Sequence, residues 1–268
     1  MIAPGVLSLH TRADASGATR ITGLRQRYPQ RVTTALHSDP AFPGAANLCV
    51  QSPSGGTFSD DDLRTTVRCA SGTHLHLTSQ AATQVFAGGG PGARHRLSFD
   101  VESGAALEYL PKTIIPQADS SFVQKLEVDV APGGVYIGWD AIAAGRIAHG
   151  ERFRYAVVDT AFTVRVQGRA VARDRQLVTA DAVIGADYLA TLLILAPGRC
   201  VKGALSAVRA VLADHPDIEG GAGELPSDAG IFVRIRTDDA PALLAVQRAL
   251  HDAARVVLPT PPITRSTP

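Results

Sequence analysis

Cysteine is scarce in this chain: among 268 residues there are three, Cys49, Cys69 and Cys200, widely spaced and without a CxxC pair. That excludes a disulfide framework and a thiolate zinc site. Net charge is also lacking. Twenty-six Lys and Arg against 25 Asp and Glu leave +1, so no global field draws the protein to nucleic acid or anionic lipid. Long apolar runs are missing too. The longest, YLATLLILA (188–196), is too short to cross a bilayer as a helix. The first residues, MIAPGVLSLHTRADASG, carry no charged n-region and make a poor signal peptide. A cytoplasmic protein with neither a nucleic-acid nor a membrane partner is expected. Catalytic signatures are absent as well: no nucleophile elbow, no HExxH and no P-loop occurs.

What is present is a β rhythm. Through residue 190, short runs rich in Val, Leu, Ile and Thr alternate with polar residues and break at Gly, Pro, Ser or Asp. VLSLHTR (6–12) and TRITGLRQR (19–27) read as a hairpin. LRTTVRCA (63–70) and THLHLTSQ (73–80), around Ser-Gly, read as another. Roughly a dozen strands suggest a sandwich, a barrel or a β-helix-like stack. No fixed period marks a simple solenoid. The end of the chain differs. VKGALSAVRAVLADH (201–215) and APALLAVQRALHDAARVVL (240–258) place apolar residues on one helical face, with Asp238 and Asp239 where an N-cap belongs. GIFVRIRTD (230–238) between them reads as a strand. The expected architecture is mainly β: one stacked-sheet domain over residues 1–258 with a small C-terminal α/β element of two helices. A Pro- and Thr-rich tail (259–268) is expected to be disordered.

Three stretches could carry chemistry. SGGTFSDDDL (54–63) sets paired glycines, Gly55 and Gly56, before three carboxylates, a pattern open to a hard cation or to a solvated acidic turn. His74 and His76 share one face of a strand, about 7 Å apart, where two imidazoles suit nickel or zinc. No third ligand lies nearby in sequence, and an ordinary alternating strand explains the pair equally well. GWDAIAAGRIAHGERF (138–153) gathers Trp139, Asp140, Gly145, Arg146, Gly150 and Glu151. There the glycines read as hinges, Trp139 as an apolar anchor, and Arg146 as a pin bonded to carbonyls or to a carboxylate.

Taken in order, these motifs resemble the UreD/UreH family of urease accessory proteins. PSGGTFSDDDL (53–63) resembles its glycine-rich loop and LTSQAATQVFAG (77–88) its Thr-x-Gln-Ala strand. Residues 105–153, from LEYLP through Trp-Asp to Gly-Arg and Gly-Glu-x-Phe, are similar to its longest signature. Ser59 and Asp60 stand where a second glycine pair is usual, Gln84 replaces Lys, Phe86 replaces Tyr, and Lys112 replaces Gln. The resemblance implies a β-helix-like scaffold without catalysis. Its implied partners are apo-urease subunits, the F-type accessory protein and, through that protein, the G-type GTPase. It further implies transient nickel with no permanent cofactor, passing along inward-facing oxygen and nitrogen donors. Asp61, Asp140, Glu151, His74 and His76 are the candidate contacts. Gly55, Gly56, Trp139, Gly145, Arg146 and Gly150 are the candidate structural or partner-binding residues. The alternative is a metal-dependent hydrolase built around His74 and His76.

Overall fold

The computed structural model describes residues 4–179 and 185–258; the Pro-rich tail falls outside them. The chain opens with β1 (Gly5–Ala13) and β2 (Thr19–Arg27), an antiparallel hairpin, as the sequence suggests. Short β3 (Arg31–Val32) and β4 (Ala46–Gln51) lead into the body. There follow β5 (Asp62–Cys69), β6 (His74–Ser79), β7 (Thr83–Val85), β8 (Ala93–Val101), β9 (Ala106–Leu110) and β10 (Ile114–Pro116). Next come β11 (Ser121–Val130), β12 (Val135–Ala143), β13 (Val157–Val166), β14 (Arg169–Thr179) and β15 (Tyr188–Leu195). The C-terminal element consists of α1 (Lys202–Ala213), β16 (Glu219–Glu224), β17 (Gly230–Thr237) and α2 (Ala240–Ala254).

The strands fall into two sheets. The first is ordered β14-β13-β11-β8-β5-β1-β2 and the second β16-β17-β15-β12-β9-β6-β4-β3. From β4 to β13 the chain mostly alternates between them, and each return lands parallel to the strand before it. That is a stacked-coil, solenoid-like body. Coil lengths explain why no period shows in the sequence. Successive partners in the second sheet, Ala46–Leu75, Leu75–Leu107 and Leu107–Tyr136, are 29, 32 and 29 residues apart. The Ser-Gly turn at 71–72 therefore does not close a hairpin. β5 and β6 lie in different sheets, so this turn is a corner between layers.

Burial follows from the layering. In β5 every second residue (Leu63, Thr65, Val67, Cys69) faces inward and the others face out, because the first sheet is covered on one side. The second sheet is covered on both. Its inner face supplies Leu75, Leu77, Leu107 and Tyr136 to the space between the sheets. Its outer face, with Ala106, Ile137, Trp139, Leu192 and Ile194, lies under α1 and α2 through Leu205, Val208, Leu243, Val246 and Leu250. Double coverage accounts for the near-continuous apolar strands VYIGWDAIA and YLATLLIL, the latter within the run excluded as a membrane helix. No helix among the described residues is long and apolar enough to cross a membrane. α2 begins where Asp239 accepts a hydrogen bond from the Ala242 amide at 3.4 Å.

Candidate functional site

Two cavities lie between the sheets. The first, about 140 Å³, is lined by Gln30, Thr65, Thr78, His95 and Tyr109, and by Gly55, Gly56 and Thr57 of the glycine loop. The second, about 30 Å³, is lined by Gln124, Tyr136, Asp140, Thr160, Gln176 and Thr191. Leu97 and Tyr109 line both, so the cavities adjoin. An interior lined by amide, hydroxyl and carboxyl groups is unusual for the space between two sheets, which is normally filled by apolar side chains.

Asp140 faces this interior because alternation along β12 turns Tyr136, Gly138 and Asp140 inward and Ile137 and Trp139 outward. Its carboxyl accepts from Gln124 Nε2 at 3.2 Å. Burial pushes it up from 3.8 to about 6, against the opposing pull of Gln124 and of Arg234. Gln176 donates to Thr191 Oγ1 at 3.2 Å, while its own Oε1 is buried without a partner. Gly138 is no hinge. It is a mid-strand position where a Cβ would stand 2.2 Å from the Tyr136 hydroxyl, so glycine there makes room for the tyrosine ring in the interior.

The glycine loop walls the first cavity. Gly55 adopts φ +76°, and a Cβ on Gly56 would meet the Gln84 carbonyl at 2.5 Å. Asp61 holds this loop, accepting from the Phe58 amide at 2.8 Å and from Thr57 Oγ1 at 3.2 Å. Thr57 Oγ1 in turn lies 3.3 Å from His95 Nε2, a ring that burial holds neutral by lowering it to about 4. Ser59 and Asp60 pack against the glycine run 88–92. A Cβ on Gly90 would collide with the Asp60 carboxylate, and the Gly90 amide donates to Ser59 Oγ at 3.2 Å.

The corner after β12 is a separate construction. Gly145 (φ +141°) and Gly150 (φ +74°) flank a single 3-10 turn at Ile147–His149. Across it the Arg146 guanidinium grips the Glu151 carboxylate with two bonds, one of them 2.9 Å from Nε to Oε2. Glu151 also accepts from the Ala118 amide at 3.4 Å, and Arg146 holds its carboxyl well below the usual range. The carboxylate that Arg146 pins is thus Glu151, not Asp140. Trp139 is buried one strand position from the interior, under the helices.

On the outer face of the second sheet lies a charged cluster that sequence reasoning only half found. His74 and His76 do share a face of β6, as alternation requires. Pairing of β6 with β9 sets His76 opposite Glu108. Glu108 is fully buried; His74 Nε2 lies 2.6 Å from its Oε1, and His251 Nε2 of α2 bonds to its Oε2. Arg255 Nε stands 3.4 Å from Oε2, while its guanidinium also pairs with Asp39 and lies 4.6 Å over the Phe42 ring. Bonds from the two histidines hold Glu108 far below the usual carboxylate range despite burial, and burial lowers His76. Neither interior cavity is lined by any of these side chains. The sequence carried faint signals: Glu108 is an acid inside an apolar strand, and His251 borders the buried face of α2. The ligand atoms that converge here are those of His76, Glu108 and His251, while His74 lies outside that group and bonds to Glu108.

The five candidate nickel contacts therefore occupy four places. Asp140 faces the interior, Asp61 caps the glycine loop, Glu151 staples the corner, and His74 and His76 stand on the outer face. The structure is thus a stacked-coil β body that encloses a polar interior, with Arg146–Glu151 holding the corner after β12 and Asp61 holding the glycine loop. Residues 3–266 match the family model described as UreD urease accessory protein. The chain is 57% identical to "Urease accessory protein UreD" of Mycolicibacterium gilvum, over 95% of this chain and 94% of that one. It is 33% identical to "Urease accessory protein UreD 2" of Streptomyces griseus, over 95% and 90%. The corresponding protein of Haloarcula marismortui is 31% identical over 95% and 87%. The chain belongs to the UreD family of urease accessory proteins.

Proposed function

We propose that this protein is a cytoplasmic maturation scaffold that binds apo-urease subunits and the F-type accessory protein. Through that protein it engages the G-type GTPase, and nickel reaches the urease active site by way of the scaffold's interior. The observation that carries this reading is the match to the UreD model along almost the whole chain, supported by 57% identity to a full-length relative. The protein performs no catalysis of its own. Its task is to hold partners and give the ion a sheltered route, and the ion is cargo that leaves with the urease.

The interior chemistry suits that task. Gln124, Thr160, Gln176 and Thr191 offer neutral oxygens, and Asp140 adds one carboxyl whose proton leaves near pH 6. Such donors replace part of a hydration shell without the multidentate grip that would trap the ion. Of these, Gln176 Oε1 is buried without a partner and so is open to an ion or to its water. Asp61, bonded within its own loop, keeps the wall of the first cavity in place, and Glu151 holds the corner after β12. A metal-dependent hydrolase built around His74 and His76 would need its ion beside a substrate cavity, whereas these two histidines cluster with His251 away from both interior cavities.

Co-expression with the cognate urease subunits and F-type protein tests the proposal. A stable co-purifying complex is expected, along with loss of nickel-dependent urease activation when the chain is deleted. Absence of the complex together with unchanged activation overturns it. Asp140→Ala is expected to leave the complex intact and to lower the nickel content of the urease that it matures.

A further inference from the structure

The outer-face cluster lies apart from the interior route and from the loops that wall it. We propose that His76, Glu108 and His251 form a binding site for one divalent first-row transition-metal ion, docked between the second sheet and α2.

The argument is one of donor type and placement. Their ligand atoms, two imidazole nitrogens and one carboxylate oxygen, all lie within 4.8 Å of one another. Donors around one ion at about 2.1 Å sit roughly 3–4 Å apart, so sub-ångström side-chain shifts close the set. Two imidazoles and one carboxylate select nickel, zinc, cobalt or copper over calcium or magnesium. Three protein ligands also leave coordination positions for water. Two of the three come from adjacent coils of the solenoid, where register sets His76 opposite Glu108. The third comes from a helix packed on that sheet through Leu243, Val246 and Leu250. The backbone therefore fixes all three.

The surroundings supply the next shell of contacts. His74 holds Glu108 through Oε1 at 2.6 Å, while Oε2 bonds to His251 Nε2, and an ion binding between these two atoms takes the place of the proton they share. A hydrogen-bonded ligand carboxylate of this kind is oriented by its partner. Among the described residues no hydrogen bond engages the His76 ring; its recorded ring neighbour is His251, 5.9 Å away between centroids. Arg255 stands beside Oε2 but is neutralised by Asp39 and held over Phe42. Its guanidinium, 3.4 Å from Oε2, competes for that oxygen without closing the site, and the ion would exchange. His76 and His251 are only partly buried, so an ion reaches them without opening the core. The consequence for the molecule is a metal-responsive clamp between α2 and the solenoid.

The test uses the purified full-length chain, stripped with a chelator and titrated with nickel(II) or cobalt(II) chloride. One ion per chain is expected, with two imidazoles visible in the X-ray absorption spectrum of the nickel-loaded protein. His76→Gln and His251→Gln should each weaken binding about 10- to 100-fold, while the exposed His10→Gln should not. Circular dichroism identifies any variant that fails to fold, and the imidazole count in the unmutated protein then decides alone. Unchanged affinity in both folded variants, or a spectrum without imidazole scattering, overturns the site. Because no urease component is present, the outcome is independent of whether the chain assembles with urease.

Discussion

Two carboxylates on neighbouring strands, Glu108 of β9 and Asp140 of β12, project to opposite faces of the same sheet. Glu108 goes under the helices and meets His74, His251 and Arg255. Asp140 goes into the interior and meets one amide, Gln124. Burial raises both, yet Glu108 ends far below its ordinary value and Asp140 ends at about 6. Burial alone therefore does not set the protonation state of an enclosed acid; the number of partners that stabilise its anion does. The outer carboxylate is a structural charge that holds α2 to the sheet. The inner one is nearly free and can answer to whatever enters the cavity.

Removing the outer carboxylate should have the largest effect. Glu108→Ala leaves His74 and His251 without the carboxylate they share and Arg255 with Asp39 alone, and breaking such a buried network costs about 3–5 kcal/mol. Urea denaturation in chelator-containing buffer should show that loss, and faster amide exchange in α2 should place it. A loss below about 1 kcal/mol would mean that the network contributes little, and the contrast between the faces would fail.

The interior groups predict a milder and pH-dependent response. Asp140 binds its proton more tightly folded than unfolded, so its ionisation opposes folding. That cost is absent below 3.8, grows as pH rises toward 6, and is complete above it. The gap corresponds to about 3 kcal/mol, less where water in the cavity screens the charge. Asp140→Asn, which keeps an acceptor for Gln124, should therefore stabilise the protein by about 1–3 kcal/mol at pH 8 and hardly at pH 4. His95 works in the opposite direction. Lowered from 6.5 to about 4, it remains neutral when folded, and its contribution is lost as pH falls from 6.5 through 4. His95→Gln should flatten the acid limb of a melting-temperature profile. A variant that shifts the whole profile evenly would show that neither group titrates as its surroundings require.

How much of this was legible beforehand depended on whether a signal is local. Strand alternation and helix faces are local, so the β body, α1, α2 and the Asp239 cap could be read directly. So could the shared face of His74 and His76. The family's long block at 105–153 was equally legible because it is contiguous. What escaped reading was set by stacking. Coils of 29 and 32 residues leave no constant period, so the turn at 71–72 read as a hairpin although it is a corner between sheets. The same stacking brings Glu108 beside His76, and helix packing brings in His251 from 143 residues beyond Glu108. Gly138 was misread because a glycine that clears space for Tyr136 looks, in sequence, like one that turns the chain.

The smallest expected effect belongs to the corner, which is held by both backbone and charge. Gly150 sits at φ +74° with nothing within 4 Å of where a Cβ would be, so Gly150→Ala meets no steric clash and suffers only the left-handed backbone cost. That cost is about 1 kcal/mol. Gly145 differs: its Cβ would stand 2.6 Å from the Glu151 carbonyl, so Gly145→Ala must displace the segment that Arg146 holds. Thermal melts of the pair should rank Gly145→Ala well below Gly150→Ala. Asp140, three residues before the end of β12, should keep its raised value in the Gly150 variant, because the strand that aims it ends before the corner begins. If the milder substitution moved Asp140 as well, the interior and the corner would be one unit, and the corner glycines would then help to shape the passage.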